Sequence, residues 1–277
     1  AADMRFGVEV PIGGVTAYLP PCTGAFMGAD LTCAALAIGL CEQQESTLLM
    51  DIGTNGELML WHKNKLYAAS TAAGPAFEGG EISQGCGGIT GAIDKVWVEG
   101  GRLGVRVIGG GTPVGVCGSG LIDAIAALLH IGRIDSSGAA DAPTVALAGN
   151  INLTAGDVRA VQLAKAAIAA GIDTLLAVAG ATPAQVLLLQ LAGGFGSHLS
   201  VASAIAIGLI PAPLAGKAHA VGNASLAGAT ALLLDTRLRT KAEQIVNDAT
   251  LVALGGDPRF EERFLADMDF PWVQEDE

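Results

Sequence analysis

Two short apolar runs separated by a polar turn are the feature that most constrains the fold of this chain. Residues 48–50 and 58–60 have the length and composition of strands, and Thr54, Asn55 and Gly56 lie in the turn between them. Asparagine followed by glycine favours a tight turn between antiparallel strands. The sequence therefore predicts a β-hairpin here.

The turn of this hairpin has the composition of an anion-binding site. Gly53 and Gly56 have no side chain to keep backbone amides away from an anion, and Thr54 and Asn55 add side-chain donors. Asp51, just before the turn, is placed to hold Mg²⁺ through water. An ordinary Asn-Gly hairpin with a solvated aspartate has the same sequence, so the hairpin alone leaves the two interpretations level.

A second motif follows much later, in the sequence VLLLQLAGGFG of residues 186–196. Its apolar half predicts a strand buried on both faces. Gly193, Gly194, Phe195 and Gly196 then form a turn at the carboxyl end of that strand, where ligands bind in α/β sheets. Taken alone, the motif is more typical of a tight strand-to-helix turn.

Together, DIGTNGE and LAGGFG resemble the phosphate and adenosine motifs of the actin, sugar-kinase and Hsp70 superfamily of ATPases. Residues 15–272 also resemble, block by block and in order, the C-terminal ATPase domain of reductive activators of corrinoid proteins. The blocks are STAAGPAFEGGEI (70–82), GVCGSGLIDAIAALL (115–129), VRAVQLAKAAIAAGI (158–172), LAGGFGSHL followed by AIAIGLIP (191–211) and VGNASLAGA (221–229).

The resemblance implies an α/β fold of the actin-like, ribonuclease H-like kind, with a mixed sheet flanked by helices. It also implies that ATP and Mg²⁺ lie between DIGTNGE and LAGGFG. On this interpretation Gly53, Thr54, Asn55 and Gly56 contact the nucleotide from one side. Gly193, Gly194, Phe195 and Gly196 contact it from the other.

Gly118, Ser119 and Gly120 are a third group of candidate nucleotide contacts. They open a predicted helix whose N-terminus would present free amides to an anion, with Ser119 as the N-cap. Asp30 stands near another predicted helix start, where it could face the nucleotide cleft, although we favour a helix cap.

Two glutamates are candidates for the chemistry beside Asp51. Glu57 belongs to the hairpin itself, and Glu78 is the charged residue in a loop of small side chains. Either carboxylate could orient an attacking water or hold Mg²⁺, and either could be a solvated acid. We favour Glu57 because it is tied to the hairpin.

The helix predicted after residue 154 provides two further expectations. Thr154 and Asp157 have the spacing of a capping box, which predicts that the helix begins there. Lys165 falls on the polar face, where we expect it to be solvated rather than bound to a phosphate.

The resemblance also implies a division of the chain. Residues 1–46 would be a lead-in that belongs to a preceding lobe, and residues 47–277 the C-terminal lobe of the ATPase. The chain opens without an initiating methionine, so we expect a fragment. An N-terminal ferredoxin-like domain with its iron–sulfur cluster, and the first lobe, would then be absent from it.

The activity implied by the resemblance is ATP binding and hydrolysis that drives reduction of a Co(II) corrinoid in a methyltransferase system. The expected partner is a corrinoid protein or corrinoid-dependent methyltransferase, and a homodimer is a further expectation. Two alternatives remain open at this point. The same cleft serves small-molecule kinases, and the glycine turns could pack the lobes of a non-catalytic docking scaffold.

Charge and cysteine content exclude other classes of function. With 27 acidic and 15 basic residues, the net charge of -12 opposes binding to nucleic acid. No uncharged apolar run is long enough to cross a bilayer, so we expect no membrane partner. The five cysteines include no CxxC pair, which favours reduced thiols in a cytoplasmic protein.

Overall fold

The computed structural model describes residues 7–24 and 26–271. Residues 1–6, Ala25 and residues 272–277 lie outside it, and with them the ends of the expected segments 1–46 and 47–277. The strands are β1 (Val8–Ile12), β2 (Val15–Leu19), β3 (Thr47–Ile52), β4 (Asn55–His62), β5 (Lys65–Ala72), β6 (Ala92–Glu99), β7 (Arg102–Val107), β8 (Gly115–Val116), β9 (Thr144–Ala148), β10 (Ile151–Thr154), β11 (Leu188–Ala192), β12 (Ala218–Gly222) and β13 (Ala249–Leu251). The helices are α1 (Ala29–Ala37), α2 (Gly118–His130), α3 (Ala155–Ala179), α4 (Gly193–Gly196), α5 (Val201–Ala206), α6 (Ala224–Leu234), α7 (Leu238–Asp248) and α8 (Pro258–Ala266).

A six-stranded sheet in the order β12-β11-β3-β4-β5-β13 forms the centre of the molecule. Strands β12, β11 and β3 run parallel, β3, β4 and β5 are antiparallel, and β13 is parallel to β5. The predicted mixed sheet and its hairpin are therefore confirmed. The parallel pairing of β11 with β3 brings the ends of these two strands to the same edge of the sheet.

The apolar side chains of β3 alternate between two cores, as the period of a strand requires. Leu48 and Met50 enter the larger core with α2 and α3, whereas Leu49 enters a smaller core with Leu31 and Ala34 of α1. Both faces of the sheet are thus covered by helices. This is why residues 48–50 form a continuous apolar run rather than an alternating pattern.

Helix α3 is the long core helix. It begins at the predicted capping box, in which Thr154 Oγ1 accepts from the Asp157 amide and Asp157 accepts from the Thr154 amide. It ends at Gly180, whose left-handed φ of 64° suits glycine. Among the described residues it is the one helix long and apolar enough to cross a membrane, but 78% of that window is buried inside the fold. This length, apolar composition and burial are typical of the core helix of a folded domain.

The prediction for Lys165 was wrong. Its side chain is 1% exposed, and its ammonium group donates a hydrogen bond to the carbonyl oxygen of Asp269. The segment that follows α8 folds back over α3 at this point, and that long-range contact leaves no mark in the periodicity of α3. Lys165 therefore holds the segment that follows α8, at Asp269 and Phe270, instead of facing solvent.

A second sheet, in the order β7-β6-β8, stands beside the central one and carries α2 against β6. The expectation that Ser119 caps α2 was wrong, because the N-cap is Cys117 and makes no side-chain capping bond. Ser119 lies inside the first turn, and its hydroxyl donates to the carbonyl oxygen of Asp94 on β6, at 3.2 Å. Gly120 lets α2 approach β6 this closely, because a Cβ on it would collide with the carbonyl oxygen of Ile93, whereas Gly118 packs against the carbonyl oxygen of Phe77.

Candidate functional site

The two glycine turns identified in the sequence meet at the edge of the central sheet. Asp51, near the end of β3, is paired with Ala192 at the end of β11. The next residue, Gly193, has a φ of +81°, and a Cβ on it would lie 2.6 Å from Asp51 Oδ1. Only glycine fits there without displacing the carboxylate. The turn after β11 is therefore built against the side chain of Asp51.

Between the turns lies a cavity of about 490 Å³. Gly53 of the hairpin and Gly194 of the second turn both line it, so the two motifs form walls of one space. The other sequence-predicted residues in its lining are Asp51, Glu78, Gly118, Ser119, Gly193 and Phe195.

The remaining candidates lie outside the lining of this cavity. Gly56 packs on α3, where a Cβ would lie 2.9 Å from Ile168, and Gly196 packs on Leu191. Gly120 packs so closely on β6 that a Cβ would collide with the carbonyl oxygen of Ile93. The other candidates outside the lining are Thr54, Asn55 and Glu57. A direct ligand role for these residues stays a prediction.

The tip of the hairpin is held by bonds within the chain. Thr54 Oγ1 donates to Glu78 Oε2 at 2.6 Å, and the Gly53 amide donates to the Asn55 carbonyl oxygen at 2.9 Å. These two donors are therefore engaged by acceptors within the chain. A phosphate that used the Thr54 hydroxyl would have to replace Glu78 as its acceptor.

Three carboxylates lie close together beneath the hairpin. Glu57 is the cross-strand partner of Asp51. Burial raises the pKa of Glu57 to about 7, and the charges of Asp30 and Asp51 add to this shift. Burial also raises the pKa of Asp51, again with a contribution from Asp30. The site thus concentrates negative charge in a partly dehydrated place, which a cation would stabilise.

The chemistry of this place fits a hydrated magnesium ion. Among the described residues, no hydrogen bond reaches the carboxylate of Asp51, so its oxygens are available. In the same part of the chain, no three His, Cys, Asp or Glu side chains are placed to hold a metal ion together. Magnesium commonly takes one or two carboxylates and completes its shell with water and phosphate oxygens. Asp51 would hold it in that way.

Two residues of the site were missed by sequence reasoning or given another role. Phe77 stacks on Phe195, with ring centroids 5.5 Å apart and an interplanar angle of 13°, and both rings line the cavity. Phe77 stands in the STAAGPAFEGGEI block, but only the fold shows which ring it meets. Asp30 does not cap α1, because the N-cap is Gly28, and it faces the carboxylates instead.

Comparison with known proteins agrees with this geometry. Residues 45–277 match the family described as the C-terminal domain of RACo, the ASKHA domain. A solved structure described as a reductive activator for corrinoid, iron–sulfur protein superposes with a TM-score of 0.86 at 35% identity, over 94% of this chain and 45% of that one. The actin-like fold expected from the sequence is therefore confirmed.

Two curated relatives match nearly the whole of this chain. The corrinoid activation enzyme RamQ of Eubacterium limosum is 36% identical over 94% of this chain and 48% of its own length. The [Co(II) methylated amine-specific corrinoid protein] reductase of Methanosarcina barkeri is 28% identical over 92% of this chain and 52% of its own. The chain thus spans about half the length of these relatives. The match over residues 45–277 shows that it belongs to the family of the C-terminal ASKHA domain of RACo.

Proposed function

We propose that this chain is the ATP-binding and ATP-hydrolysing lobe of a protein that drives reductive reactivation of Co(II) corrinoid in a methyltransferase system. The observation that carries the proposal is the contact between Gly193 and Asp51, which joins the two glycine turns around one cavity. The family match and the names of the relatives support the same function.

Different residues of the cavity would contact the phosphates and the apolar part of the nucleotide. Gly53, Gly193 and Gly194 let backbone approach the phosphates closely. Gly118 and Ser119 add the start of α2, and the stacked pair of Phe77 and Phe195 supplies an apolar wall. This combination of amide-rich turns and one aromatic wall suits a nucleotide, which is anionic at one end and apolar at the other.

Three carboxylates have the catalytic roles in this proposal. Asp51 holds the hydrated magnesium ion, which neutralises phosphate charge when it is bound with ATP. Glu57 and Glu78 are the candidates to orient the attacking water. Glu57 has a pKa of about 7, so it can accept a proton near neutral pH. Glu78 borders the cavity directly, beside Gly53.

The partner in this proposal is a corrinoid protein or corrinoid-dependent methyltransferase in the cytoplasm. The electron would come from an iron–sulfur cluster in a part of the protein that this chain does not contain. Hydrolysis in the cleft would move the lobes and so couple nucleotide turnover to electron transfer. Small side chains in α6, which packs on α1, would permit such sliding.

The proposal is tested by comparing this chain with the full-length protein. We expect the 277-residue chain to bind MgATP weakly and hydrolyse it little. The chain spans about half the length of its relatives and, in this proposal, would supply about half of the cleft. The full-length protein should do both. Titration calorimetry and a phosphate-release assay measure the two properties. Strong hydrolysis by this chain alone would contradict the half-cleft interpretation, and no nucleotide binding by the full-length protein would refute the function.

A further inference from the structure

Two cysteines lie side by side in the wall of the cavity. Gly85 and Val116 form a parallel β-bridge. Cys86 and Cys117 each follow one residue beyond that pair, and the Cys86 amide donates to the Val116 carbonyl oxygen at 3.0 Å. Both cysteines line the cavity, one on each of the bridged segments.

The bridge places the two thiols on one face. Residues at the same step beyond a paired position point to the same side of a sheet, and neighbouring strands lie about 4.8 Å apart. A disulfide spans Cα separations of roughly 4.4–6.8 Å. Burial raises the pKa of the Cys86 thiol, and the neighbouring Cys117 contributes to the shift, as expected for adjacent sulfurs. Both are free thiols.

Glycines around the pair leave room for a sulfur to move. A Cβ on Gly115 would lie 2.8 Å from Cys86 Sγ, so this glycine provides the space that the thiol occupies. Gly87 and Gly88, which follow Cys86, have no atom within 4 Å of a Cβ position. The segment that carries Cys86 can therefore adjust to a new bond, while Cys117 is fixed at the start of α2.

We propose that Cys86 and Cys117 are a dithiol site that small organic disulfides oxidise to an intramolecular disulfide across the cavity wall. The thiolate of Cys86, the more exposed of the two, attacks the small disulfide and releases one small thiolate. The thiolate of Cys117 then attacks Cys86 Sγ and releases the second. The protons of the two cysteines end on the two small thiols, so one disulfide is reduced as the other forms.

The bond would tie residues 86–88 to the start of α2. Access of a nucleotide to the cavity would then depend on the thiol state of this wall. That consequence rests on the proposed function, whereas formation of the disulfide does not.

Tryptic mapping tests the proposal directly. Cleavage at lysine and arginine places Cys86 in the peptide 66–95 and Cys117 in the peptide 107–133, each as its single cysteine. The other cysteines, Cys22, Cys33 and Cys41, share the peptide 6–63. A covalent link between the first two peptides therefore reports this pair alone.

The folded chain is treated with excess oxidised glutathione, and the monomer is isolated and digested without reductant. We expect the two peptides to be linked, two of the five thiols to be lost, and both changes to be reversed by dithiothreitol. Cys86→Ser and Cys117→Ser should each abolish the link, and the matched control Cys41→Ser should retain it. Separate peptides from oxidised, folded chain, with Cys86 still free or carrying glutathione, would overturn the proposal.

Discussion

Two of the regions in which this molecule buries charged side chains treat the charge in opposite ways. Beneath the hairpin, Asp51 and Glu57 are partly buried next to each other and next to Asp30, so their neighbours carry the same sign. Beneath the segment that follows α8, Lys165 is fully buried but surrounded by groups that favour a cation.

Among the described residues, the bonding and charged partners of Lys165 come from the segment it holds. Its ammonium group donates to the Asp269 carbonyl oxygen and lies 5.4 Å from the centre of the Phe270 ring. Burial lowers its pKa to about 8, while the charges of Asp267 and Asp269 oppose the shift. A buried charge with such partners is part of the fold. Asp51 has no such partner among the described residues, which suits a cation supplied from outside the chain.

Among the substitutions that test this contrast, we expect the largest effect from one at Asp51. In the full-length protein, Asp51→Ala should reduce corrinoid reactivation by about 100-fold or more, since it removes the group that positions the metal charge. The absorption spectrum of the iron–sulfur cluster should stay unchanged. Glu99→Ala, at an exposed position on the hairpin of β6 and β7, is the matched control. Normal reactivation by the Asp51 variant would remove its proposed role.

The next effect concerns the other region. Lys165→Ala should lower the free energy of unfolding by about 2–4 kcal/mol, because it leaves a cavity and an unpaired carbonyl oxygen under the chain end. Lys165→Met keeps most of the volume and should lose about half of that or less. Urea denaturation followed by circular dichroism measures both. Equal stability of the alanine variant and the parent would mean that the chain end is not held by this residue.

The two regions should also give the stability opposite dependences on pH. The folded pKa of Glu57, about 7, lies above the ordinary glutamate pKa of 4.5, so the folded state binds more protons and stability falls as pH rises through this range. The folded pKa of Lys165, about 8, lies below the ordinary lysine pKa of 10.5, so stability falls as pH drops from 10.5 through 8.

Across each pH range, the free energy of unfolding should change by about 1–3 kcal/mol once solvent screening is allowed for. Urea midpoints measured across the two pH ranges test this directly. Glu57→Gln should flatten the acidic slope only, and Lys165→Met the alkaline slope only. A variant that leaves its own slope unchanged would show that the charge is not buried as the contrast requires.

The contrast also explains what could be predicted from sequence. The hairpin, the strand before Gly193 and the capping box of Thr154 depend on residues close in the chain, and all three were predicted. The burial of Lys165 and the stacking of Phe77 depend on segments far away in sequence. A glycine motif likewise does not reveal whether the missing side chain makes room for a ligand, as Gly194 can, or for α3, as at Gly56.

The smallest expected effect separates the two candidate glutamates. Glu78 is bound to the Thr54 hydroxyl in an exposed place, so Glu78→Gln should change the free energy of unfolding by less than about 1 kcal/mol. Thr54→Val removes the same bond from the other side and should have a similar effect on stability.

The substitutions at the two glutamates should affect the rate of ATP hydrolysis by the full-length protein differently from the free energy of unfolding. If Glu57 orients the water, Glu57→Gln lowers the rate by about 10²-fold or more, whereas Glu78→Gln and Thr54→Val change it only severalfold. Single-turnover hydrolysis with saturating MgATP measures the chemical step without the contribution of binding. A larger loss with Glu78→Gln would assign the water to the exposed glutamate on the cavity wall. Glu57 would then contribute only negative charge beneath the hairpin.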